Sequence, residues 1–98
     1  MNIEVTEIRL LPGHKSTRAF ADVRLDDILI KDFRVMQDNG RPYVKVPFQT
    51  YKNSVGEIQF REIVRFPDEV RGQIDTMILS EYYHREKEIQ RNDIRSPQ

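Results

Sequence analysis

The chain contains no cysteine, which removes disulfides, thiolate nucleophiles and cysteine-zinc sites together. Histidine is scarce: His14 lies in a Pro-Gly turn and His84 falls late in a helical segment. A Ser-His-Asp arrangement needs a base beside a nucleophile, and only Ser16 lies near His14 in sequence. Proximity within a turn is common, so the pair is no evidence of catalysis. The four glycines are isolated, so no phosphate-cradling glycine-rich loop exists. No His/Cys/Asp cluster has metal-ligand spacing. Asp26-Asp27 is a carboxylate pair, but Asp accepts backbone hydrogen bonds in turns, and that is its ordinary role. Nothing here calls for an enzyme, a cofactor, a metal or a small-molecule substrate.

No apolar run approaches the roughly 20 residues of a spanning helix. The opening MNIEVTEIRL alternates and carries acids early, unlike a signal peptide. The expectation is a soluble, cytoplasmic protein without membrane insertion. An excess of either charge is also missing, since Lys plus Arg and Asp plus Glu both number 16. A nucleic-acid module usually shows a basic excess, so any such binding here must come from a local patch.

What is present is a chain of 98 residues, 38% hydrophobic and 33% charged, which fits one small domain with a charged surface. Residues 2–10 read as a strand whose apolar face changes phase between Ile3/Val5 and Ile8/Leu10, which fits a bulge or a strand covered on both sides. Residues 17–25 form the cleanest strand. Ala19, Ala21, Val23 and Leu25 face one way, and Arg18, Phe20, Asp22 and Arg24 the other. Small inward alanines imply a closely packed helix.

After the Asp-Asp turn, residues 28–36 make a third strand with Ile28 and Ile30 on one face and Leu29, Phe33 and Val35 on the other. That two-sided pattern suits a central strand, or one buried on both sides. Asn39-Gly40 predicts a type I′ hairpin. A fourth strand runs from Tyr43 to Val46. VPFQTYKNSVGE, residues 46–57, reads as a connection, and residues 58–66 as a fifth extended segment.

Pro67-Asp68-Glu69 opens a helix, because acids suit its positive end. Val70, Ile74, Met77, Ile78 and Tyr82 recur at helical spacing as one apolar stripe. The expected architecture is α+β: an antiparallel meander of about five strands with a C-terminal helix on one face. Residues 1–84 form the domain, and residues 85–98 a charged helix end and tail that frays toward Pro97.

Two sets of cations are candidate contacts. Arg61 and Arg65 point the same way from the fifth segment, with Lys52 and the flat ring of Tyr51 in the adjoining loop. Cations meet phosphates and an aromatic stacks a base. The plainer alternative is a solvated strand face. On the helix, His84, Lys87, Arg91 and Arg95 line one side, diluted by Glu81, Glu86 and Glu88. Leu79 and Tyr83 lie four apart, off the main stripe. With the two-sided third strand they predict a homodimer.

The run LDDILIKDFRVMQDNGRPYVKVP, then GEIQFREIV and a helix ending ILSEYY, resembles the stage V sporulation protein G (SpoVG) family of septation regulators over residues 1–84. The resemblance implies a small bacterial cytoplasmic protein that dimerises through its strands. It implies a non-enzymatic regulator that binds DNA, and in some members RNA, with links to gene expression, septation and sporulation. It also implies a basic pair after the fourth strand, where this chain carries Gln49 and Thr50. Lys52 keeps a positive charge in the loop, and Arg61 matches the family arginine of the Phe-Arg-Asp run. Losing two phosphate contacts lowers affinity and salt dependence. The alternative is therefore a protein-interaction module in cell division with weak or no nucleic-acid binding.

Overall fold

A computed structural model describes residues 1–13 and 15–95, with side chains described up to residue 89. His14, the side chains of Arg91 and Arg95, and the expected fraying toward Pro97 lie outside the described residues. Among the described residues, six strands precede one helix: β1 (Ile3–Leu10), β2 (Thr17–Leu25), β3 (Ile28–Met36), β4 (Tyr43–Lys45), β5 (Phe48–Lys52), β6 (Ile58–Glu62) and α1 (Asp68–Arg95). The first four form one antiparallel sheet in sequence order, and β5 and β6 form a separate two-stranded ribbon. The fold is α+β, as expected, but the stretch 46–57 is not a plain connection. It contains β5.

The helix forms where the sequence predicts. Asp68 and Glu69 occupy its first turn, and the Pro67 carbonyl accepts a hydrogen bond from Arg71 N–H. Its stripe buries Ile74, Ile78 and Tyr82 against Ile8, Ala19, Ala21, Val23, Phe33, Val35 and Val44. Ala19 and Ala21 are fully buried, which lets the helix approach β2 closely. Tyr82 keeps its hydroxyl satisfied on Glu86 at 2.9 Å; burial, followed by that bond, pushes its pKa up to about 12. Leu79 is partly buried against the same core, so it belongs to the stripe and not to a separate outer face; Tyr83 is exposed.

Bulges account for three departures from simple alternation. The one read in β1 falls between Val5 and Glu7. A second lies in β3: Phe33 pairs with Ala21 and Ile30 with Val23, so Lys31 and Asp32 together oppose Asp22. Asp32 takes a positive φ of 70° there. The phase shift puts Ile30, Phe33 and Val35 on the core side and leaves Leu29 exposed on the other, so Leu29 and Phe33 do not share a face. A third bulge between Thr17 and Ala19 sends Arg18 to the helix side, beside Tyr82 and Glu86, not outward with Asp22.

The β3–β4 hairpin is present, but not as a type I′ turn. Residues 37–42 connect Met36 to Tyr43, its pairing partner, and only Gly40 has a positive φ. Six residues give room for a wider loop, held by Gln37 Nε2 donating to Gly40 O at 2.8 Å and Tyr43 Oη to Asp38 at 3.0 Å. β6 also ends at Glu62, short of Phe66. Val64 and Phe66 then turn back to the core, and Phe66 stacks on Phe33 with ring centroids 6.1 Å apart.

Candidate nucleic-acid interface

The ribbon owes its form to alternating β-formers and to one well-built turn. Phe48, Thr50 and Tyr51 favour extended backbone, and Pro47 stands just before the strand, where it removes no ladder bond. At the tip, Asn53 Oδ1 accepts from Val55 N–H at 3.0 Å and from Glu57 N–H at 2.9 Å. Asn53 N–H donates to Glu57 O at 3.0 Å, and Gly56 takes a φ of 84°. At the base, Ile63 N–H donates to Pro47 O at 2.9 Å.

Register decides which candidates meet. Gln49 pairs with Arg61 and Tyr51 with Gln59, so these four share one ribbon face. Arg61 donates to Gln49 Oε1 at 2.7 Å, and its guanidinium lies 5.7 Å from the Tyr51 ring centroid. The structure therefore brings Arg61 and Tyr51 together, with Gln49 orienting the guanidinium. Lys52 pairs with Ile58 and lies on the opposite face, with Phe48 and Phe60. Arg65 is exposed beyond the end of β6, so the extended direction expected to align it with Arg61 is lost. Lys87 is exposed on α1, more than 20 residues along the chain. Near it, His84 Nε2 lies 3.2 Å from Glu88 and Arg85 Nε 3.8 Å from Glu88, so acids share that helix face.

One group of functional-looking residues escaped the sequence reading. Arg34, Lys45, Phe20, Phe48 and Phe60 cluster where the outer sheet face meets the ribbon. The available signal was the alternation of Phe20 with outward Asp22 and Arg24, but the partner strand β5 was missing from it.

Asp26 takes a positive φ of 52° in the β2–β3 turn, and its Oδ1 accepts from Asn2 N–H at 2.9 Å, a bond back to the residue before β1. Among the described residues no three His, Cys, Asp or Glu side chains converge to hold a metal. A cleft between the N-terminus and α1 is lined by Met1, Ile3, Glu69, Gln73, Thr76 and Met77, without a histidine. No described helix is long and apolar enough to cross a membrane.

No curated protein matches the chain. A sequence model of the SpoVG family matches residues 1–84, which include the whole four-stranded sheet, the ribbon and α1 as far as residue 84. The match covers most of the 98 residues, and the chain belongs to the SpoVG family.

Proposed function

We propose that this protein is a non-enzymatic, cytoplasmic regulator that binds nucleic acid as a homodimer, acting in gene expression, septation and development. The observation that carries the reading is the ribbon, which presents Arg61 over Tyr51 on one exposed face. A guanidinium reaches phosphate while the adjacent ring offers a stacking surface. Family membership supports the same direction. DNA is the expected ligand and RNA a second one.

Arg61→Ala is expected to weaken binding to every probe and to lower the log–log salt slope by about one, with Lys52→Ala adding about one more if the opposite face is also engaged. Gel shifts with duplex and single-stranded probes at low and moderate salt measure this. Unchanged binding by the double variant, with loss in Lys87→Ala/Arg91→Ala, moves the contact to the helix. A second reading, a protein-interaction module, draws on the exposed apolar side chains Val55, Ile58 and Ile63. A parent that retards no probe at any salt selects it.

The ribbon's isolation supports dimerisation. Two strands alone are marginal, and both outer edges leave backbone groups without a ladder partner. Edge-to-edge pairing of two ribbons satisfies those groups. Sedimentation velocity at micromolar protein is expected to give a dimer; a species of 11.7 kDa overturns this.

A further inference from the structure

The sheet face opposite the helix carries one transverse row of paired residues: Arg9, Phe20, Arg34 and Lys45, from β1 to β4. The row continues onto the ribbon through Phe48 and Phe60. The Arg34 guanidinium lies 4.4 Å from the Phe48 ring centroid and 5.2 Å from that of Phe20. Lys45 Nζ lies 5.2 Å from Phe48 and 5.0 Å from Phe60, and these two rings meet edge to face at 5.4 Å. Each ring quadrupole fixes a cation, and the cations in turn hold the rings.

The charges in this row differ in kind. Arg9 is neutralised by Glu7, Asp22 and Asp32. Arg34 and Lys45 form no ion pair among the described residues. Glu62 pairs in register with Phe48 on the same ribbon face without reaching either cation. Phe60 is 61% exposed, a large apolar ring left in water beside two cations, of which Lys45 also sits within electrostatic reach of the Asp38 carboxylate.

We propose that this face is a stacking platform for single-stranded nucleic acid, in which a base stacks on Phe60 and the flanking phosphates meet Arg34 and Lys45. The inference rests on the nucleic-acid reading above and adds the class of ligand and a second surface, on the opposite side of the ribbon from Arg61. Single strands are specified by the ring. Base faces are free to stack only when unpaired, and a duplex hides them. An anionic partner is specified by the cations. A second copy docked face to face about a two-fold would bring the Arg34 and Lys45 cations of both copies into one desolvated contact. The proposed edge-to-edge dimer leaves this face open.

The test uses fluorescence anisotropy with a 12-nucleotide single strand, as RNA and as DNA, and the DNA duplex of the same sequence. Phe60→Ala is expected to weaken single-strand binding about 5- to 150-fold, the equivalent of one lost base stack. Duplex affinity should change less than twofold. The chain has no tryptophan, so Phe60→Trp introduces a single indole. It should restore binding, with fluorescence quenched when a base stacks on it. Arg34→Gln with Lys45→Gln should lower the single-strand salt slope by about 1.4. Single-strand binding unchanged in Phe60→Ala, but weakened in Arg61→Ala, overturns the platform and leaves the nucleic-acid reading standing. Dissociation of a dimer by Phe60→Ala, with single-strand affinity per protomer preserved, overturns it in favour of a self-interface. A parent that binds neither strand nor duplex removes both readings.

Discussion

Phe33→Ala is expected to destabilise the fold by about 3–5 kcal/mol, a large share of the roughly 5–15 kcal/mol typical of a small domain. Phe33 is fully buried at the centre of β3. Its ring touches the Phe66 ring, which fastens the segment after the ribbon to the core. Truncation leaves a cavity that its neighbours are poorly placed to fill. Ala21, its partner on β2, has no side chain to extend, and ladders on both sides hold β3 in place. Leu29→Ala is the matched comparison, because simple alternation would put Leu29 on the same face. The bulge at Lys31-Asp32 places it outside, so its loss should fall within about 0.5 kcal/mol. Urea midpoints for the two variants check this. Equal losses would mean that the bulge, and the phase of the whole β3 core face, is wrong.

That bulge was legible by a rule the sequence reading applied elsewhere. In β1 the switch from odd to even apolar positions, Val5 to Ile8, announces the irregularity found between Val5 and Glu7. In β3 the switch from Ile28/Ile30 to Phe33/Val35 is the same signal, interrupted by Lys31-Asp32, and Asp tolerates positive φ better than most residues. Taking both faces as apolar hid it and produced a false argument for a partner on β3. The helix stripe was legible because its period is long and its burial one-sided. The ribbon was harder. Pro47 reads as a strand end, although the first position of a strand accepts it, and Phe-Gln-Thr-Tyr-Lys alternates only weakly in hydropathy because neither ribbon face is deeply buried.

Missing β5 also blurred the site. Tyr51 and Lys52 are consecutive, so in an extended strand they must face opposite ways; in a loop they could converge on one ligand. The pairing of Gln49 with Arg61 needs the register of two strands, which no spacing rule supplies. Composition was no better guide. The net charge of zero conceals a sheet face where two cations stand among three phenylalanines without an ion pair among the described residues, while acids of the same sheet neutralise Arg9. Local field, not total charge, decides what such a surface attracts.

Asp22→Ala is expected to cost about 2–3 kcal/mol, because one buried carboxylate closes two bulges. Asp22 sits on β2 opposite the irregularities of both β1 and β3. Its Oδ2 accepts from Arg9 Nη1 at 3.0 Å, and its Oδ1 from Arg9 Nη2 at 3.1 Å. Oδ1 also accepts the Asp32 backbone N–H at 3.1 Å, the donor that the β3 bulge removes from the ladder. Removal of the carboxylate orphans that N–H. Arg9 is about a third exposed, so water takes up much of its charge and the loss stays below that of a fully buried pair. The Arg9 hydrogen bond, helped by the Asp32 N–H and opposed by burial, holds the Asp22 carboxyl below the usual aspartate range. A depressed folded-state pKa gives stability that is fully present above the unfolded value, about 3.9, and is lost as pH falls through the folded value. The parent should therefore lose stability below about pH 4. Asp22→Asn keeps the shape but neither the charge nor both acceptors. It should start lower at neutral pH and fall less steeply in acid. Urea midpoints between pH 7 and pH 2 for the two proteins isolate the Asp22 contribution as the difference between the curves, since the remaining carboxylates titrate in both. Curves that stay parallel through that range would show that the Arg9–Asp22 pair does not set the acid limit of this fold.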